Sequence, residues 1–267
     1  MHYFAYKTQL LAALLLCLSL PALAQHTPAA RCGVATGFPP YQFSAGGETT
    51  GFDADVARLI FKRLGIPFQF RQQAWDLVFN ELRFGDIELI AGMEINALRT
   101  KFFDFTRPYY YRYDVIFILE DNQQITKLED LHNQFVSGDR HSYIETHWKE
   151  LGTLYDFRII ATPSKERSMQ LLKEGKIQAA IMPKAVGLYL AQQMGIEVKI
   201  LDNPDPGSPV AFAVKRGNHQ LLAQIDEALE ALISEGEIQR LYEKWFPEHP
   251  QRHDEKADEV QGAPLTS

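Results

Sequence analysis

The sequence predicts an α/β protein folded as two lobes, and three observations carry that expectation. Short apolar runs alternate with amphipathic stretches, the pattern of strands joined by helices. The alternation comes as two consecutive sets. The 267 residues, 46% hydrophobic and 23% charged, have ordinary globular composition and suffice for one large domain or two lobes.

Residues 1–24 read as a cleaved Sec signal peptide. Lys7 is its basic start, Leu10 to Leu20 an uncharged apolar run, Pro21 the break, and Ala22-Leu23-Ala24 a small-x-small cleavage site. The mature chain is therefore expected to be exported, to the periplasm, and retains Cys32 as its one cysteine, which reads as a small buried hydrophobe. A net charge of −7 argues against a nucleic-acid partner. No second long apolar run follows the leader, which argues against an integral membrane protein.

The first set opens with a strand at Cys32–Ala35. A helix follows Gly51, with Asp53 as its expected cap, Val56, Leu59, Ile60 and Leu64 on one face, and Gly65 as its stop. Pro67–Phe70 reads as a strand, Trp75–Phe84 as a helix ended by Gly85, and Ile87–Met93 as a buried strand. In the second set, Val115–Leu119 and Phe135–Ser137 read as strands, and Ser142-x-x-Glu145 is a capping box opening a helix to about Leu151. A strand at Phe157–Ile160, a helix at Ser164–Glu174, a strand at Ile177–Met182, a helix at Lys184–Met194 and a strand at Val198–Leu201 follow. A last strand at Val210–Val214 precedes two helices, Asn218–Ile233 and Glu237–Phe246. The polar stretch from 248 to 267 reads as a disordered tail. No nucleotide, hydrolase or zinc-protease motif occurs, and the histidines are scattered, so no cofactor and no metal site is expected.

Four segments occur in order: Gly33-Val-Ala-Thr-Gly-Phe-Pro-Pro-Tyr41, Gly51-Phe-Asp-Ala-Asp-Val-Ala57, Ala91-Gly-Met-Glu-Ile-Asn-Ala-Leu-Arg99 and Phe105-Thr-Arg-Pro-Tyr-Tyr110, with a closing Tyr242-Glu-Lys-Trp-Phe246. Together they resemble the family 3 extracellular solute-binding proteins of polar amino-acid ABC transporters, most closely the arginine and lysine/arginine/ornithine binders. The resemblance covers Arg31 to Phe246. It implies the type II periplasmic binding protein fold, two α/β lobes joined by two crossing segments, expected here at Tyr111–Asp114 and Gly207–Ala211. Lobe 1 would span 25–111 and 210–247, and lobe 2 would span 112–209. The implied partners are a small-molecule ligand and an ABC permease of the inner membrane, and the implied state is a monomer without catalytic residues.

The resemblance places a carboxylate clamp at Arg99, whose planar guanidinium can hold a carboxylate through two parallel hydrogen bonds. Asn96 is expected to cap the short helix carrying it, with the backbone of Gly92 and Glu94 turned toward the same anion. Phe38 and Trp75 match side-chain-slot positions, where aromatic faces attract a cationic head; Tyr41 reads as core. Glu94 stands where many members have serine or threonine, and its carboxylate can pair with an α-ammonium or a guanidinium. In lobe 2 the helix-start turn is His141-Ser142-Tyr143, with Ser142 as cap and Ser142 and Tyr143 as expected ligand contacts. The family's acid for the α-ammonium falls at Pro183 here, and the acid beside the first strand at Ala35. Either Glu94 takes that task or the ligand is not a standard α-amino acid. The leading reading is delivery of a polar, cationic amino acid to an ABC transporter. The alternatives are an enzyme resembling cyclohexadienyl dehydratases, with Glu94 as general acid, and an orphan sensor or binder.

Overall fold

A computed structural model describes residues 29–139, 153–201 and 207–247. The leader, the helix opened by Ser142 and the tail after 247 lie outside the described residues. Chain order is β1 (Ala30–Ala35), β2 (Gly37–Phe38), β3 (Gln42–Ala45), β4 (Glu48–Thr50), α1 (Phe52–Leu64), β5 (Phe68–Gln73), α2 (Trp75–Phe84), β6 (Leu89–Glu94), β7 (Phe103–Phe105), β8 (Tyr110–Arg112) and β9 (Asp114–Leu119). It continues with β10 (Phe135–Asp139), β11 (Arg158–Thr162), α3 (Lys165–Lys173), β12 (Ala179–Pro183), α4 (Lys184–Met194), β13 (Val198–Leu201), β14 (Ser208–Lys215), α5 (His219–Ser234) and α6 (Glu237–Trp245).

Two large sheets repeat one plan. The first runs β5-β1-β6-β14-β7 and the second β11-β10-β12-β9-β13. In the first, β1 lies between parallel β5 and β6 and antiparallel β14 joins β6; in the second, β10 lies between parallel β11 and β12 and antiparallel β9 joins β12. Only Tyr113 separates β8, in the first sheet, from β9, in the second. The chain returns between Leu201 and Ser208. The two passages run side by side, because Arg112 pairs with Ser208 and Tyr111 with Pro209. That pairing draws Arg112, Ser208 and Pro209 into the first sheet. A Cβ on Gly207, at φ 81°, would stand 2.6 Å from the Tyr113 ring, so the crossings pack closely.

Local chemistry explains most boundaries. α1, α2 and α4 end at Gly65, Gly85 and Gly195, each in the left-handed conformation that glycine adopts without strain. Ser164 caps α3, its hydroxyl accepting from the Arg167 N–H at 3.2 Å. Asp53 does not cap α1. The first amides of that helix, Phe52 and Asp53, donate to the carbonyls of Pro40 and Tyr41 at 3.0 Å each, which leaves the Asp53 side chain to point into the core. The buried stripe of α1 is Phe52, Val56, Ala57, Ile60 and Phe61, with Leu59 and Leu64 half-buried at its margin. On α2, Val78 and Leu82 face the sheet, whereas Leu77 is 50% and Phe84 69% exposed. The closing motif packs as an aromatic cluster: Phe52 meets Tyr110, Tyr242 and Phe246 within 5.6 Å, and Phe246 meets Tyr41 at 4.9 Å. The ribbon β2-β3-β4 leans from the first sheet toward the second, bringing Phe43 to 5.7 Å from Tyr189 of α4.

Candidate ligand-binding cleft

Open parallel sheets bind ligands beyond the carboxyl ends of their strands, and here Ala35 ends β1, Glu94 ends β6 and Pro183 ends β12. All three line one cavity of about 50 Å³ between the sheets, together with Phe38, Gln42, Trp75, Gly92, Arg99, Arg112, Asp114 and Lys165.

A polar network forms its floor. Gln42 accepts from the Ala35 N–H at 2.6 Å and donates to the Asp53 carboxylate and the Ala91 carbonyl at 2.8 Å each. Asp53, fully buried, also accepts from the hydroxyls of Tyr109 at 2.6 Å and Tyr110 at 3.2 Å. Burial pushes the Asp53 carboxyl above its ordinary range, against the opposing pull of Arg112 and these donors. Gly92 is required where it stands: its φ is 70°, and a Cβ there would run into the Asp53 carboxylate and the Gln42 amide.

Arg99 opens a short 3-10 turn (Arg99–Lys101) whose N-cap position is Leu98; Asn96, expected as the cap, lies two residues earlier and braces the approach, its Oδ1 accepting from the amides of Leu98 and Arg99 at 3.1 and 2.9 Å. The guanidinium is buried, donates to the Glu94 carbonyl and carboxylate at 2.9 and 3.2 Å, and lies 5.3 Å from the Trp75 ring centroid. Glu94 is thus not an uncommitted acid. A second guanidinium, Arg112, approaches its other oxygen at 3.4 Å. Burial raises the Glu94 carboxyl, but Arg112, Arg99 and Lys165 outweigh it and hold the group below its ordinary value.

Arg112 was absent from the sequence reading, and it changes the slot. Only 5% exposed, it donates to the Tyr110 hydroxyl and to the Gly92 carbonyl at 3.4 Å, and lies 3.8 Å from Asp53. Its guanidinium stands 4.7 Å from both the Phe38 and Tyr41 ring centroids. The aromatic face expected to receive a ligand's cation therefore carries a cation of the protein. Tyr41 is buried and stacked on Tyr110 at 5.2 Å.

The second sheet contributes Pro183, Asp114 and Lys165, and sequence reasoning missed the last two. Asp114 is buried and is the register partner of Pro183 across the β9–β12 ladder. Lys165, buried at the first position of α3, faces Glu94 across the cleft. A cation there opposes the helix dipole, so its placement has to be sustained by nearby acids. Ser142 and Tyr143 lie outside the described residues. Among the described residues, Arg99, Arg112 and Lys165 line the cavity against Glu94 and Asp114, and Asp53 lies behind the lining, 3.8 Å from Arg112; the six balance in charge when all are ionised.

Two α/β lobes joined by paired crossings, with a small charged cavity between them, define a two-lobe binding protein. Residues 30–248 match the family described as bacterial extracellular solute-binding proteins, family 3, and the chain belongs to that family. It is 29% identical over 225 residues to ABC transporter arginine-binding protein 1 of Escherichia coli K12, covering 81% of this chain and 90% of that protein. Two solved structures, an ancestral arginine-binding protein bound to arginine and one bound to glutamine, superpose with TM-scores of 0.76 at 32% and 33% identity, each covering 82% of this chain and 98% of the other. Among the described residues, no helix is long and apolar enough to cross a membrane.

Proposed function

We propose that this solute-binding protein delivers a polar α-amino acid with a cationic side chain to an ABC transporter, acting in the periplasm after removal of residues 1–24 and catalysing no reaction. Lobe 1 (25–111 and 210–247) and lobe 2 (112–209) close on the ligand as a hinged trap. The observation that carries the reading is the cavity's distribution of charge: Arg99 enters from the first lobe and Asp114 from the second. That pair suits a zwitterion, with the α-carboxylate on Arg99 and the α-ammonium on Asp114, which stands beside the position where the resemblance expects an acid. The cationic side chain is directed to the Phe38 face and Glu94, and the arginine-binding relatives support that direction. Gly92 and Trp75 border the same cavity, and Ser142 and Tyr143, outside the described residues, are the further ligand contacts of this reading.

A thermal-shift screen of the mature protein over the common L-amino acids and small dicarboxylates tests the reading. Saturation at about 100 times the dissociation constant adds about 2.7 kcal/mol of stability, so L-arginine or L-lysine should raise the melting temperature clearly. A panel in which only dicarboxylates stabilise the protein contradicts it.

A further inference from the structure

The slot that attracts a cation is occupied by a cation of the chain, and although that guanidinium also donates to the Tyr110 hydroxyl, three features favour its displacement. Its ion pairs are long, 3.4 Å to Glu94 and 3.8 Å to Asp53, and its Nε is buried with no hydrogen-bond partner among the described residues. An unsatisfied buried donor weakens the hold of the site on its occupant. Its position is one residue before Tyr113, where the chain passes between the sheets, so lobe motion moves its backbone relative to the second lobe.

Charge balance points the same way. Among the described residues, with three cations and two acids lining the cavity and an ionised Asp53 behind them, a ligand of no net charge leaves the charges balanced, whereas a cationic amino acid adds one unbalanced positive charge in a desolvated space. Withdrawal of one resident cation restores the balance. Arg99 is not that cation, since it is anchored by close bonds to both the carbonyl and the carboxylate of Glu94. We propose that Arg112 is the charge-selecting residue of the cleft, an intramolecular competitor that fills the cation slot between Phe38, Tyr41, Glu94 and Asp53 and is displaced by a ligand's guanidinium or ammonium group. This rests on the amino-acid reading above. It makes the affinity for cationic amino acids a difference between the ligand's fit and the cost of expelling Arg112, while neutral amino acids are spared that cost.

Calorimetric titration of the wild-type protein and of Arg112→Met, which keeps the unbranched stem and removes the charge, tests the proposal with L-arginine, L-lysine and L-glutamine. The variant should bind L-arginine and L-lysine about tenfold more tightly, while L-glutamine changes by less than about threefold. Arg112→Lys, which keeps the charge but loses the planar stacking on Phe38 and Tyr41, covers the case of a misfolded methionine variant; it should tighten L-arginine by about threefold. Wild-type binding of amino acids with no gain for the cationic ligands in either variant overturns the competitor role alone. A loss for all three ligands alike shows Arg112 to be a direct ligand contact, which also overturns it. No binding of any of the three to wild type or variant overturns both this inference and the amino-acid reading.

Discussion

Asp114 lies directly opposite Pro183, the two being register partners where β9 and β12 run antiparallel. Pro183 ends a parallel strand at the cleft, where a side-chain acid is expected and a proline stands. The adjacent strand supplies a carboxylate to the same cavity wall. The cavity thus has an acid on its second-sheet wall, carried by β9 and not by β12.

Asp114→Asn removes that charge and keeps the size. It should weaken binding of an L-amino acid about tenfold or more, in keeping with the loss of one partner of a desolvated pair. Binding of the analogue that lacks the α-amino group should be unaffected. Calorimetry on the two ligands separates an ammonium contact from a general disturbance of the cleft.

Arg99→Ala should likewise lower the affinity for any carboxylate ligand by more than about tenfold. The fold survives, because Glu94 keeps Arg112 as a partner. An unchanged circular dichroism spectrum with lost binding is the expected combination; unchanged affinity would remove Arg99 from the site.

Much of the fold was legible in the sequence because its signals are local. α2 and α4 have the bounds read from their helical spacing and their terminal glycines. The ribbon β2-β3-β4 escaped notice because strands of two to four residues are too short for alternation to register. The site was legible only in part. Arg99 and Glu94 sit in a recognisable segment, but Arg112 and Asp114 meet partners far away along the chain. One signal for Arg112 existed: Tyr110 and Arg112 are buried and Tyr111 between them exposed, so reading β8 as a strand places the guanidinium on the inner face with Tyr110. Asp114 has no such local signal, since its role depends on the pairing of β9 with β12. Asp53 looked like a cap because helix starts favour aspartate, and only the carbonyls of Pro40 and Tyr41 show why it was not needed.

Gly92→Ala should destabilise the protein by at least about 2 kcal/mol, since the added methyl strains a left-handed residue and displaces the Asp53–Gln42 hydrogen bond. Urea unfolding measures it. A change below about 0.5 kcal/mol, typical of a neutral surface site, would show that the floor of the cleft is not packed as described.

Stability should fall on acidification partly through Glu94. Its carboxyl is held below its ordinary value of 4.5 in the folded state, so its contribution is complete above that value and is lost as pH falls through the depressed one. Arg99, Arg112 and Lys165 face it and cause the depression. Asp53, raised by burial, works in the opposite sense, since its cost is relieved as it protonates. Urea unfolding from neutral pH to about pH 3 should show a smaller loss for Glu94→Gln than for wild type. Equal slopes would contradict the assignment.

Cys32 is fully buried, and burial pushes its thiol well above the ordinary range. The native mature protein should therefore resist a thiol reagent, and unfolding in urea should release one reactive thiol. Two would show that Cys17, and with it the leader, is retained.

The central claim is that the cleft holds an amino acid by both its α-groups, one from each lobe. Calorimetric titration of the wild-type protein with L-arginine, with agmatine, which lacks the carboxylate, and with the analogue lacking the α-amino group measures this most directly. The account predicts one site per chain and a loss of about tenfold or more for each truncated ligand. Agmatine binding as tightly as L-arginine would contradict it.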